Sequence, residues 1–499
     1  MNLVNLLILY VFGFASALQL IPEVYDLQAD IEKRLDQSKV QELNTFAELQ
    51  EAFLVKDSIT YGSAIGYKFN ITNNLNQIVV FLSGSICRLP NHWNTSTPFN
   101  GIKLYYTFDE TIAKSLNYTE MESVEFLNGF LGFLVENPFD ATTSNDIYLV
   151  IAPDYCSDCT ADSTWVYELG ASKKNLLFVY DSEPRISVVD VDYESVILKA
   201  DEAIFGANRS FNLLIFDNNV SIPVALNQSI CAANESTGYK RMVPINEDST
   251  RMQDHTFILT DFDVAQTYSA VLTVTNPNIP YSGGVFEQFE FTMSPTKSCK
   301  LVWGLDFCDE VAYAAPISEL FLSGEQSWGE FLSLYDNNTE NLYQPFLYAL
   351  QQVACDTELD ARYSPFRTCD DCRYSYKQWL CAVTIPRCTS SLHAGPYNKL
   401  YSAGSGRNKF IEDTIMPPLP YAEILPCLNV CQAIVRDCPP DFSFGCPEDP
   451  EMVRLSYIDP LLLVDGEDQS TTVATDSGET HELCNYLGQQ NKFLPTQQN

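Results

Sequence analysis

The spacing of the cysteines limits the fold of this chain more than any other feature. Twelve of its sixteen fall in one stretch: Cys299, Cys308, Cys355, Cys369, Cys372, Cys381, Cys388, Cys427, Cys431, Cys438, Cys446 and Cys484. Cys381 and Cys388 flank AVTIPR, and Cys427, Cys431 and Cys438 sit in PCLNVCQAIVRDC. Cys427 and Cys431 are four apart, so on a helix they share a face and anchor it at two points. An even count at this density reads as a disulfide-stapled extracellular module. Zinc is the rival, because Cys156-x-x-Cys159 and Cys369-x-x-Cys372 resemble two knuckle halves. Those halves lie far apart and the four histidines (His92, His255, His393, His481) are scattered, so no metal and no cofactor are expected. Spacing leaves the pairing of Cys87, Cys156, Cys159 and Cys231 open.

The N-terminus agrees with an extracellular life. An apolar run, Leu3–Phe14, precedes Ala15-Ser16-Ala17, which reads as a signal peptide cleaved after residue 17. An uncleaved signal anchor is the alternative. Asn-x-Ser/Thr sequons begin at Asn70, Asn94, Asn117, Asn208, Asn219, Asn227, Asn234 and Asn337. Only Asn337 follows Cys299, so the cysteine-rich part is comparatively free of sequons. A formal charge of −36 disfavours nucleic acid as a partner. The C-terminus has no hydrophobic tail of the kind a glycolipid anchor needs.

At 499 residues the chain is expected to hold several domains. Residues 18–57 read as an N-terminal helical segment, because Leu27, Ile31, Leu35, Leu43, Phe46, Leu49 and Phe53 recur near helical spacing. From about Ser58 the period becomes two, with Asn, Gly, Pro and Ser between short strands. Residues 58–182 and 183–298 are expected as two antiparallel β-sandwich-like domains that meet at Ser182-Glu183-Pro184. Residues 299–484 are expected to be mainly helical and disulfide-rich, with an inserted loop over 389–426 and a tail from 485. Within the loop, Tyr397, Tyr401, Phe410, Ile411, Met416, Leu419 and Tyr421 are candidate partner anchors.

The order WLCAVTIPRC, then PCLNVCQAIVRDC, preceded by CKLVWGLDFCDEVAYAAP and LYQPFLYALQQVAC, resembles the frizzled-type cysteine-rich domain. That resemblance implies the pairs Cys299–Cys388, Cys308–Cys381, Cys355–Cys438, Cys427–Cys484 and Cys431–Cys446, with Cys369 and Cys372 extra and joined to each other. A competing register puts Cys372 in the place of Cys355 and stays open. With LYYTF, YLVIAPDYCSDC and LPYAEILPCLNVCQAIVRDCP, the chain is similar to the fungal stretch-activated calcium-channel auxiliary subunit, the "mating-induced death" family. It is also similar to the cysteine-rich auxiliary subunit of the animal sodium-leak channel. The resemblance implies a regulatory partner of the pore-forming α subunit of a fungal voltage-gated-type calcium channel. It further implies membrane association through that partner, at the extracellular face of the plasma membrane or also in the endoplasmic reticulum.

Catalytic signatures are missing from the sequence. There is no Gly-x-Ser-x-Gly elbow, no His-Glu-x-x-His and no phosphate-binding loop. The carboxylate pairs Asp190/Asp192 and Asp261/Asp263 are the nearest thing to a glycosidase arrangement and read as solvated strand faces. A non-enzyme is expected. The rival is a secreted module that captures a lipid or a carbohydrate, such as a cell-wall sensor.

Overall fold

The computed structural model describes residues 43–71, 79–136, 146–154, 156, 158–201, 210–217, 222–245, 255–275, 283–353, 363–389, 398–459 and 484–487. These residues are rich in strands, with several disulfides and a few helices. The chain forms two compact units. One comprises Met1–Ser182, Ile222–Thr237 and Thr273–Phe286; the other comprises Glu183–Ser221, Gly238–Leu272 and Glu287–Asn499.

In the first unit nine strands form one sheet. They are β1 (Ala47–Leu49), β2 (Phe53–Thr60), β3 (Ile65–Asn70), β4 (Val79–Arg88), β5 (Phe99–Thr107), β6 (Glu122–Leu127), β7 (Phe130–Glu136), β8 (Asp146–Pro153) and β9 (Thr164–Ser172). Their order is β1-β3-β8-β5-β6-β7-β4-β9-β2. Period-two patterning drives the burial. β5 buries Asn100, Ile102, Leu104 and Tyr106 while the residues between them stay partly exposed. β9 contributes Trp165, Tyr167 and Leu169, each fully buried. The Trp165 indole donates to the Asn100 carbonyl at 2.7 Å, which satisfies its one polar group. Helix α1 (Glu110–Ser115) starts where the Asp109 carboxylate accepts from Thr111 N and Ile112 N. Helix α2 (Ile230–Glu235) is capped by Ser229 and stapled to β4 by Cys87–Cys231. Strand β10 (Phe178–Asp181) pairs in parallel with Gly283–Phe286.

The expected N-terminal helix is a correction. Residues 18–42 lie outside the described residues, and the remainder forms β1 and β2. Leu43 and Phe46 close over Gly66, which has no Cβ to obstruct them. Leu49 is buried as β1 pairs with Tyr67–Phe69. Ala52 then turns the chain at φ 57°. Two strands joined by a tight turn thus place apolar residues at an accidental spacing of three to four.

The second unit begins with β11 (Ile186–Val191), β12 (Val196–Ala200), β13 (Ser210–Asp217), β14 (Arg241–Ile245) and β15 (Thr256–Leu259). β16 (Thr267–Thr275), whose residues up to Leu272 lie in this unit, and β18 (Phe289–Thr292) follow; β17 (Gly283–Phe286), between them in the chain, belongs to the first unit. β12 lies between β11 and β15; β13 pairs with β14, and residues 267–270 of β16 pair with β18. Then come β19 (Cys299–Val302), β20 (Tyr313–Pro316), and helices α3 (Glu319–Leu322), α4 (Trp328–Leu350) and α5 (Cys369–Thr384). A small sheet of β21 (Arg387–Thr389), β22 (Asn398–Tyr401) and β23 (Tyr421–Ile424) has β23 at its centre, followed by α6 (Leu428–Asp437) and α7 (Pro450–Ser456). α4 buries Phe331, Tyr335, Thr339, Tyr343, Phe346 and Leu350, one stripe at helical spacing. Capping boxes of Ser327 with Glu330 and Thr368 with Asp371 start α4 and α5.

Three expectations change here. Among the described residues from Cys299 on, five short strands stand beside the helices, an addition to the expected mainly helical stretch. The expected boundary at 298/299 is not a break in packing. Tyr193 and Ile197 share one hydrophobic core with Leu301, Tyr313, Phe331, Tyr335, Ile385 and Tyr421. The described part of 389–426 is folded, because β22 and β23 pair along Asn398–Tyr401 and Ile411 and Ile415 are fully buried.

Candidate functional site

The second unit is held by Cys299–Cys388, Cys308–Cys381, Cys372–Cys438, Cys427–Cys484 and Cys431–Cys446. Cys369 is also disulfide-bonded. Two expected pairs are corrected. Cys438 bonds Cys372 and not Cys355, so Cys369 and Cys372 do not join each other. Cys355 itself lies outside the described residues. The cause is the face that α5 turns toward the end of α6. Ser375, three residues beyond Cys372, donates to the Asp437 carboxylate at 2.5 Å, next to Cys438.

Buried charge organises the same unit. Arg387 Nε lies 2.9 Å from Asp190 Oδ2, and Arg387 Nη2 donates to the Val189 carbonyl at 3.1 Å. The guanidinium also sits 5.7 Å from the Tyr313 ring centre. Asp190 accepts from Ala314 N at 3.3 Å. Asp192 accepts from Glu194 N, Ser195 N and Leu301 N and lies 3.3 Å from Lys300 Nζ. Burial pushes both carboxyl pKa values up, while Arg387 and Lys300 oppose it. The Asp190/Asp192 pair is therefore consumed in structural ion pairs and is not a solvated strand face. The other candidate pair is separated in role: Asp263 pairs with Lys240, and Asp261 stands at φ 70° on the surface. Glu423, at the centre of the small sheet, is buried beside Arg407 at 3.0 Å, and desolvation raises its pKa.

The anchor candidates now sort by exposure. Tyr401, Ile411 and Tyr421 are buried, and Phe410 is half-buried against Tyr335. They pack their own core and are not free to dock. Tyr397 lies outside the described residues. Met416 (54% exposed) and Leu419 (40% exposed) remain at the surface. Met416 ends a short helical turn, Ile411–Ile415, at φ 48°. That left-handed conformation costs a non-glycine residue energy. Pro417 and Pro418 fix the exit, and the Pro417 carbonyl accepts from Gly404 N at 2.7 Å.

Among the sequon asparagines, Asn70, Asn94, Asn234 and Asn337 are exposed; Asn117 and Asn227 are half-buried; Asn208 and Asn219 lie outside the described residues. Cys87, Cys231 and Glu235 bring potential metal-ligand atoms within 4.8 Å. Both sulfurs are consumed in a disulfide, so this group does not make a thiolate metal site. No helix among the described residues is long and apolar enough to cross a membrane.

Sequence reasoning missed the long-range partners: Cys87–Cys231, Asp190–Arg387 and Arg407–Glu423. Nothing local in the sequence marks any of these pairings.

A family described as "Stretch-activated Ca2+-permeable channel component" matches residues 79–490. The chain belongs to this Mid1 family. It is 30% identical over 487 residues to the stretch-activated cation channel MID1 of Saccharomyces cerevisiae, covering 87% of this chain and 84% of that protein. It is 37% identical over 204 residues to the stretch-activated cation channel yam8 of Schizosaccharomyces pombe, 40% of each chain. It is 26% identical over 189 residues to the protein of the same name as the first in Cryptococcus neoformans, 32% of this chain and 29% of that one. A calcium-channel-related role follows from family membership, and the relatives are named as channels and not as enzymes.

Proposed function

We propose that this chain is a non-enzymatic, extracellular regulatory subunit of a plasma-membrane calcium channel, and that it supports calcium influx under stress or mating signals. The observation that carries the reading is the family match over residues 79–490. The stapled second unit would act as a rigid platform, with a frizzled-like arrangement of its cysteines. Docking on extracellular loops of the pore-forming α subunit would bias its assembly or gating. Met416 and Leu419 are the docking residues that remain from the sequence reading, since both project from a braced turn in the unit with fewer sequons. Glycans on the exposed sequon asparagines would keep other surfaces free of partners.

The test is calcium uptake in cells whose own copy is replaced by Met416→Asp/Leu419→Asp. Uptake evoked by stretch should fall toward the level of cells lacking the protein, while the amount of folded protein at the cell surface is unchanged. Full uptake with the double variant would remove these residues from the docking face. Normal evoked uptake in cells lacking the protein altogether would overturn the reading itself.

A further inference from the structure

Cys156–Cys159 differs from the other disulfides between described residues. Their loops span 15 to 144 residues, whereas this one spans three. Both its cysteines are partly exposed; in every other such pair at least one partner is buried. It lies between β8 and β9, past the Pro153↔Ile102 pairing and before the turn where Thr160 and Ser163 bond. Closing so small a loop removes little freedom from the unfolded chain. The fold therefore gains little from this bridge, while solvent thiols can reach it.

We propose that Cys156–Cys159 is a thiol–disulfide exchange site, reduced by small dithiols while the remaining disulfides hold. One thiolate of the reductant attacks a protein sulfur, breaking the Cys156–Cys159 bond and forming a mixed disulfide. The second reductant thiol then displaces that protein sulfur. The reductant leaves as its cyclic disulfide, and two protein thiols carry the two electrons and two protons. The surroundings make the site a target of exchange and not a catalyst of it. Asp154, Asp158 and Asp162 flank the bridge, and the nearby cation Lys103 is held by Asp154 at 2.9 Å and Glu125 at 3.0 Å. Carboxylates beside a released thiol disfavour its thiolate, the form that attacks other disulfides. Cys156 N also donates to the Tyr61 hydroxyl at 3.5 Å, a contact that does not involve the sulfurs.

The test uses the full folded chain in graded dithiothreitol, quenched with N-ethylmaleimide and read by peptide mass spectrometry. Cys156 and Cys159 should be labelled together at roughly tenfold lower reductant than any other pair. At that concentration the thermal unfolding midpoint should match that of the oxidised protein. A chain with Cys156→Ser/Cys159→Ser should fold and show no labelling in this low range. If Cys431–Cys446 or any other bridge opens first, or all open together, the proposal fails. Loss of the folded state on opening Cys156–Cys159 would equally overturn it.

Discussion

Replacing Arg387 with methionine tests whether β11 and the cysteine-rich stretch form one unit. Arg387 is almost fully buried and neutralises Asp190 at 2.9 Å. Methionine keeps much of the volume and strands the carboxylate. Leaving one partner of a buried pair uncompensated costs about 3–5 kcal/mol. Losing the guanidinium over the Tyr313 ring adds about 0.5–1 kcal/mol. A second change, Asp190→Asn, removes the stranded charge while its amide oxygen still accepts from Ala314 N, so the double variant should recover about 2 kcal/mol. The deficit of Arg387→Met should also depend on pH. Asp190 already has a raised folded pKa from burial, and removing the cation raises it further. A raised carboxyl contributes stability that is full below its unfolded value of 3.8 and is lost as pH rises through the folded value. The deficit should therefore shrink on acidification, by up to about 1.4 kcal/mol per pH unit. Urea unfolding, with hydrogen exchange at β11, β20 and β21 to assign the transition to this unit, reads both effects. A deficit under about 1 kcal/mol, or one that does not change with pH, refutes the reasoning.

Other consequences follow from the same interactions. Cys87→Ser/Cys231→Ser opens a bridge of sequence separation 144, and should destabilise the first unit by on the order of 5 kcal/mol in chemical denaturation. Asp437 behaves oppositely to Asp190: burial alone would raise its pKa, but hydrogen bonds from Arg436 and Ser375 hold it below 3.8. Its contribution is present above 3.8 and lost as pH falls through the folded value. The stability gap between wild type and Asp437→Asn should therefore close as pH falls below 3.8 and through the lowered folded value. Truncating Ile411, fully buried, to alanine should cost about 2–5 kcal/mol by urea unfolding, which a solvent-exposed loop residue would not.

Local periodicity carried strands such as β5, which buries alternate residues as its sequence suggests. Family membership was legible in the cysteine-bearing segments and their order. What failed was everything that depends on distant partners. Leu43, Phe46, Leu49 and Phe53 have helical spacing, yet Leu49 and Phe53 are strand residues of the sheet and Leu43 and Phe46 lie in the irregular segment that leads into it. The segment around Arg407 and Glu423 looks like a loop because its charges and glycines are polar punctuation, yet those two charges neutralise each other in the core. Cys355 and Cys372 have equivalent credentials by spacing; the face that α5 presents to α6 decides for Cys372. Asp190 and Asp192 resembled a solvated strand face because their cations, Arg387 and Lys300, lie more than a hundred residues away in sequence.

Regulation through a channel partner is tested most directly by recovering the full chain from cell membranes in mild detergent and identifying what comes with it by mass spectrometry. A multi-span calcium-channel subunit in the purified complex, reduced in the Met416→Asp/Leu419→Asp variant, is the predicted result. Recovery of the chain without any multi-span channel protein, or release of the whole population into the medium, would contradict it.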